Sequence, residues 1–167
     1  MISRTAEYAL RAMVFLALAP EKARTVKETA LATKVPEGYL SKVMQSLSRA
    51  GLVRSQRGLH GGFTLQRSPE TLSILEVVNA VDPVGRILTC PLGLPTHGKE
   101  LCPMHRRLDD AAARVEHAFA ESTLAELLGE QGATKPLCEF PRAGVGAKRS
   151  RRTARPALAP PVRGRKT

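Results

Sequence analysis

The chain has no tryptophan, few aromatic residues of any kind (4%) and only three cysteines in 167 residues. An odd number of widely spaced cysteines, with no export signal ahead of them, excludes a disulfide scaffold and leaves free thiols, metal ligands or redox switches. The longest apolar run, Ala12 to Pro20 behind Arg11, is too short to cross a bilayer, and no secretory pattern with a small-residue cleavage site is present. The expected location is therefore the cytoplasm, with no membrane partner. No glycine-rich phosphate loop follows a strand, and neither a nucleophile elbow nor a His-Glu-x-x-His run occurs, so little supports an enzyme. No internal repeat of solenoid length is visible.

What remains is a chain of ordinary one-domain length, too short for a second catalytic domain. Its apolar (43%) and charged (25%) fractions are those of a soluble globule. Lys and Arg number 26 against 15 Asp and Glu, a net charge of +11, which points to polyanionic partners and above all nucleic acid. The charge is unevenly placed. Residues 1–21 are neutral, 22–67 carry nine bases against two acids, 68–131 carry five bases against ten acids, and 132–167 carry ten bases and one acid, Glu139. This suggests a reader at 1–82, a cysteine-bearing loop at 83–104, a helical segment at 105–131 and a basic tail at 132–167. The tail is rich in Pro, Gly, Ala and Arg without helical or alternating period, a composition that does not offset chain entropy, and disorder is expected there.

Ala6, Ala9, Leu10, Met13 and Ala17 recur at helical spacing and predict a helix over Ser3 to Leu18, ended by Pro20. Thr25 with Glu28 forms a capping box that opens a short helix through Ala32. Pro36 suits the first turn of a third helix, with Tyr39, Leu40, Val43, Met44 and Leu47 as its apolar stripe and Gly51 as its stop. Two helices in tandem across a short turn make a helix-turn-helix. Leu52 to Arg57 and Phe63 to Arg67 read as strands joined by the glycine-bearing turn Gly58 to Gly62, a wing. Ser73 and Glu76 cap a helix through Ala80, and a Pro- and Gly-rich loop runs from Pro83 to about Pro103. Leu108, Ala112, Val115 and Phe119 mark one face of a longer helix from about His105 to Ala120. Thr123 with Glu126 then opens a terminal helix bearing Leu124, Leu127 and Leu128. The expected fold is mainly α with a small β-hairpin wing: a winged helix-turn-helix followed by a long helix.

A helix lying in the major groove needs short polar or basic side chains on one face and apolar residues behind to seat it. Ser41, Lys42, Gln45, Ser46 and Arg49 lie off the apolar stripe of the third helix. Arg57 sits at the wing base, and His60 with its flanking glycines at the wing tip, where backbone can approach a phosphate or the minor groove. Thr25 and Lys27 at the start of the second helix, and Tyr39, complete the candidate contacts with double-stranded DNA. A solvated polar face is the simpler reading of any one helix. The agreement of caps, stripe, wing and local charge favours DNA binding.

At this point the sequence resembles the Rrf2 family of bacterial regulators. The resemblance is carried by Arg4-Thr5-Ala6-Glu7-Tyr8-Ala9-Leu10-Arg11-Ala12, by the block from Tyr39-Leu40 to Ala50-Gly51-Leu52-Val53, by Arg57-Gly58-Leu59-His60-Gly61-Gly62-Phe63, and by Ile74-Leu75-Glu76-Val77-Val78 with Val81. It covers residues 1 to about 130. It implies a winged-helix homodimer in which the long helix pairs with its twin, binding a near-palindromic operator and acting as a repressor. Ser41 and Arg57 match family positions used for base or minor-groove contact. Pro36 and Gly38 stand where relatives often have polar contact residues, and Leu59-His60 replaces the usual Pro-Gly of the wing turn, so the operator sequence does not carry over.

The loop from Cys90 to His105 carries thiol and imidazole groups, ligands suited to an iron-sulfur cluster or zinc, on a Gly- and Pro-rich backbone that can fold around a metal. Cys102 and His105, separated by Pro103 and Met104, can reach one centre. In cluster-binding relatives this loop carries three cysteines, and in one branch a histidine three positions past the last. Cys90, Cys102 and His105 match the first, the last and that histidine; Thr96 occupies the middle place with His97 beside it. Glu7 stands where some relatives donate a carboxylate from the partner subunit. Three readings stay open: an iron-sulfur cluster, of the two-iron type given the ligand count, or zinc, sensing redox state, iron or nitric oxide; a metal-free regulator responding through thiol oxidation or a partner protein; or a structural remnant. Cys138, in the tail, lies outside the motif. Val162-Arg163-Gly164-Arg165-Lys166 behind Pro160-Pro161 resembles an AT-hook core, with Arg163 and Arg165 as the minor-groove candidates. A plain polycation adding sequence-blind affinity is the simpler alternative.

Overall fold

The computed structural model describes residues 2–58, 61–93 and 100–129. Six helices and one hairpin follow in the order α1 (Arg4–Ala17), α2 (Val26–Thr33), α3 (Glu37–Arg49), β1 (Val53–Gln56), β2 (Gly62–Leu65), a 3-10 turn at Pro69–Thr71, α4 (Ile74–Asn79), α5 (Pro103–Glu121) and α6 (Leu124–Gly129). The mainly α fold with a two-stranded antiparallel wing is the one expected.

Local chemistry sets most of these boundaries. Ser3 caps α1 by accepting from the Ala6 N–H. The capping boxes of Thr25 with Glu28 and Ser73 with Glu76 are both closed, and Thr123 with Glu126 makes the same reciprocal pair ahead of α6. The α2 helix ends on Lys34 in the left-handed conformation at φ 56°, which carries the chain round to α3.

The hub is α1, which packs on α2, α3, α4, α6 and β2. Every residue from Ala12 to Ala17 is buried, as expected of a helical stretch that is apolar all round and enclosed by its neighbours, whereas the first half of α1 keeps Arg4 and Glu7 exposed. Around it close Leu40, Val43, Met44 and Leu47 from α3, Leu52 and Val53 from the wing, Leu72, Val77 and Leu124. Ala6, Ile74 and Val78 form a second small cluster near the amino end of α1.

Several details differ from the sequence reading. Tyr39 is 41% exposed and sits at the margin of the stripe rather than in the core; burial on α3 falls to Leu40, Val43, Met44 and Leu47. Pro36 is the N-cap of α3 rather than part of its first turn. The strands are shorter than expected, because pairing runs only from Val53 opposite Leu65 to Gln56 opposite Gly62. The turn at Pro69–Thr71 gave no periodic signal, being three residues long. The long helix starts at Pro103, with Cys102 as its N-cap, because proline is well placed at a first helical position.

Two isolated bridges tie distant segments together. Arg24 pairs with Phe63 (N–H to O 3.0 Å, and 2.8 Å in return), so the stretch before α2 is bridged to β2 of the wing at this one residue. Ser73 is bridged to Thr123, with Ile74 N–H donating to Ser122 O and Leu124 N–H to Leu72 O, both at 2.9 Å.

Candidate nucleic-acid interface and sensor loop

Helix α3 packs against both α2 and β1 of the hairpin. On α3, Lys42, Gln45 and Arg49 are exposed, while the buried residues between them seat the helix on α1. Ser41 is half-buried, and its hydroxyl donates to Glu37 O at 3.0 Å. Arg57 follows β1 in an exposed position, and Arg54, which the sequence reading did not single out, is exposed on β1 itself. Lys42, Arg49, Arg54 and Arg57 enter no ion pair among the described residues, whereas Arg11, Arg67 and Arg86 are each matched to carboxylates. Arg106, Arg107 and Arg114 on α5 are likewise without an ion pair among the described residues; the four on α3 and the wing have their charge available for phosphate.

Thr25 and Lys27 lie at the amino end of α2, where backbone amides favour anions. The Thr25 hydroxyl accepts from the Glu28 N–H at 3.1 Å and the Thr25 N–H donates to the Glu28 carboxylate at 2.9 Å, so Thr25 is already engaged in the cap. That backbone hydrogen bond, assisted by the nearby Arg24 charge, holds the Glu28 carboxyl below its ordinary range. Lys27 is exposed.

Tyr39 does a different job from its stripe neighbours. Its ring meets Tyr8 edge to face (centroids 5.5 Å apart, 83°) and its hydroxyl pairs with that of Thr5, fastening the first turn of α3 to α1. Arg11 stacks over Tyr8, donates to Thr33 O at 3.3 Å and pairs with Glu7. Arg24, a further residue the sequence reading missed, lays its guanidinium over Phe15 at 5.1 Å while its backbone bridges the wing. A single bridging residue carries no periodicity, so no sequence signal could have found it. His60 lies outside the described residues, as do Arg163 and Arg165.

In the cysteine loop, the structure brings Cys102 and His105 together: Sγ lies 3.2 Å from Nδ1, and His105 is 8% exposed although it opens an otherwise solvent-facing helix. The i, i+3 spacing at the start of α5 puts both side chains on one face. Cys90 and Cys102 are half-buried and not in a disulfide. Glu7 is occupied with Arg11, and His97 falls outside the described residues. Among the described residues no three His, Cys, Asp or Glu side chains converge on one point. Cys102 and His105 thus fit as two donors of a soft or borderline metal, and a complete set requires residues beyond that pair.

The face of α5 carrying Leu108 (54% exposed), Ala112, Val115 (42%) and Phe119 borders a groove of about 650 Å³ shared with Ile2 and Val78. Opposite-charge contacts fasten the same helix to the connector after α4: Arg86 is held by Asp109 and Glu116. Its hydrogen bonds from Arg86 and from the Ile87 N–H hold the Asp109 carboxyl down to about 2. Among the described residues no helix is long and apolar enough to cross a membrane.

Residues 2–130 match the model of the Rrf2 family, described as iron-dependent transcriptional regulators. The chain is 33% identical over 138 residues to the HTH-type transcriptional regulator NsrR of Shouchella clausii, covering 80% of this chain and 92% of that one. It is 29% identical over 137 residues to NsrR of Geobacillus kaustophilus, covering 78% and 91%. Among solved structures, IscR of T. potens superposes with a TM-score of 0.63 at 23% identity, covering 77% of this chain and 85% of that one. CymR, the global cysteine regulator of B. subtilis, does so at 0.62 and 24%, covering 76% and 95%. These structural likenesses establish the winged-helix fold, and the matched family consists of transcriptional regulators rather than enzymes. With a helix-turn-helix, a wing and a family model spanning all of them, the chain belongs to the Rrf2 family of transcriptional regulators.

Proposed function

We propose that the protein works as a homodimeric repressor on a near-palindromic DNA operator, and that an iron-sulfur cluster held by Cys90, Cys102 and His105 tunes its grip in response to redox state, iron or nitric oxide. The observation that carries the sensor is the Cys102 Sγ to His105 Nδ1 approach of 3.2 Å at the start of the helix that joins the two halves of the dimer. The family's description as iron-dependent and the NsrR relatives support it. His97, and Glu7 of a second subunit, are the further donors, and a two-iron cluster is the type that this mixed set suits. Such a cluster would supply electron and ligand exchange. The protein's own part is to hold the loop between reader and dimer helix so that its state reaches the DNA face.

DNA contact rests on the unmatched Lys42, Arg49, Arg54 and Arg57, with Gln45 and Ser41 offered to base edges and Lys27 and Thr25 to phosphate. His60 and the tail residues Arg163 and Arg165 join them as proposals. Dimerisation rests on the exposed apolar face of α5.

A second reading, favoured by the lack of a third converging donor among the described residues, is a metal-free regulator in which Cys102 itself is oxidised. Anaerobic purification, assay of iron and sulfide, visible absorption and DNA binding to a duplex from the protein's own upstream region decide the matter. A chromophore lost in Cys90→Ala and Cys102→Ala, with altered DNA affinity, is the expected result. A colourless protein whose DNA affinity responds to peroxide through Cys102 selects the second reading. No chromophore and no effect of either substitution sinks both.

A further inference from the structure

The connector leaving α4 is fastened to α5 before it reaches Cys90. The Val84 N–H donates to Asn79 Oδ1 at 3.1 Å, closing the turn after α4. Arg86 then lays its guanidinium on α5: Nε and Nη2 donate to Asp109 Oδ1 and Oδ2 at 2.7 and 2.8 Å, and Nη1 donates to Glu116 Oε2 at 2.9 Å. The Ile87 N–H adds a fourth bond to Asp109 Oδ1 at 2.9 Å. A forked donor gripping a carboxylate through two bonds fixes orientation as well as distance, which a lysine cannot do. Asp109 and Glu116 lie two turns apart, so one guanidinium bridges side chains whose backbone positions are about 10 Å apart along the helix.

At its far end α5 is held differently, by the backbone bridge between Ser73 and Thr123 and its two flanking hydrogen bonds. Along its whole length the helix buries only His105, which precedes both fastenings, and it packs chiefly on α4. A helix held by backbone at one end and thinly packed along its length can pivot about that end. From Asp109 to Glu121 the lever is about 18 Å, and the Arg86 fastening sets its tilt.

We infer that Arg86 is a positioning residue for DNA recognition: by clamping Asp109 and Glu116 it fixes the angle between each reader and the dimerisation helix, and so the separation of half-sites that the pair grips. This rests on the dimeric, DNA-binding reading above. Half-site sequence is read by α3 and the wing, which do not contain the clamp. Losing it therefore relaxes spacing and leaves sequence preference intact.

The test is selection from a pool of random duplexes by the full-length protein. Wild type enriches inverted half-sites at a single separation, about one helical turn or a multiple of it. Arg86→Gln enriches the same half-site over a spread of separations. Its affinity for the wild-type duplex falls on the order of tenfold, while affinity for a duplex bearing one half-site stays within about twofold. Asp109→Asn behaves likewise. The exchange Arg86→Asp with Asp109→Arg, which rebuilds the pair in reverse beside Glu116, narrows the separation again, a rescue that general damage to the fold would not give. Should Arg86→Gln not fold, Arg86→Lys keeps the charge without the fork and carries the same comparison. An unchanged single separation and unchanged affinity in Arg86→Gln or Arg86→Lys, or no narrowing in the exchange, overturns the inference. If wild type enriches no paired sites at all, the dimeric operator reading fails first and takes this inference with it.

Discussion

Replacing Gly62 by alanine tests whether the wing is held by backbone contact with the segment before α2. A Cβ built on Gly62 would lie 2.6 Å from the carbonyl carbon and oxygen of Arg24 and 3.0 Å from its nitrogen. Ordinary carbon contacts begin near 3.5 Å, so the two segments must part by about 0.9 Å. The opposing atoms are backbone, and the Arg24 side chain is itself laid over Phe15, so no flexible group can swing aside. Parting of that size stretches the 2.8 and 3.0 Å hydrogen bonds between Arg24 and Phe63 beyond bonding range. Two such bonds contribute about 2 kcal/mol together, and the stiffer unfolded chain returns about 0.5 kcal/mol. A net loss of about 1–2 kcal/mol lowers the melting temperature by roughly 4–8 °C. The internal control is Gly38→Ala: that position is in the first turn of α3 with nothing within 4 Å, so the same chemical change raises stability by about 0.5 kcal/mol. Urea denaturation with constant slope reads both. If Gly62→Ala is as stable as wild type, or the two substitutions shift stability in the same direction, the wing is not held in this way.

Lys34 ends α2 in the left-handed conformation, so Lys34→Gly raises stability by about 0.5–1 kcal/mol, read as a higher urea midpoint; a lower midpoint refutes this. The Asp109 carboxyl, held down to about 2 chiefly by Arg86, contributes its full stabilisation above the ordinary aspartate range and loses it as pH falls toward 2. Urea midpoints measured from pH 5 downward therefore fall more steeply for wild type than for Asp109→Asn, and parallel curves would show that the carboxylate is not paired in solution. Deleting residues 133–167 removes most of a strongly basic stretch and flattens the dependence of DNA affinity on salt, by about 0.9 in the log–log slope for each phosphate that the tail neutralises; an unchanged slope means the tail does not touch DNA.

Much of the molecule is written in short-range terms, and those parts were legible. The capping pairs at Thr25, Ser73 and Thr123 each involve residues three apart, so sequence alone locates the helix starts. The alanine- and leucine-rich periods of α1 and α3 specify which faces are buried. Cys102 and His105 are likewise neighbours on one helical turn, and their approach follows from spacing. Tyr39 shows the limit: its period places it on the apolar stripe, but only the position of Tyr8 and Thr5 on α1 shows that it belongs to a seam.

The amino-acid order by itself determined helices, caps, wing, charge distribution and the family to which they belong, because each depends on residues within a few positions of one another. Tertiary structure alone decided that Arg24 is bridged to the wing, that Ser73 meets Thr123, and that Arg86 finds Asp109 and Glu116. Those pairings join segments 23 to 50 residues apart and consist of one or two residues each, too short to leave a period. What places them is the packing of α4, α6 and β2 on α1 and of α5 on α4, a property of the whole chain that no window along it contains.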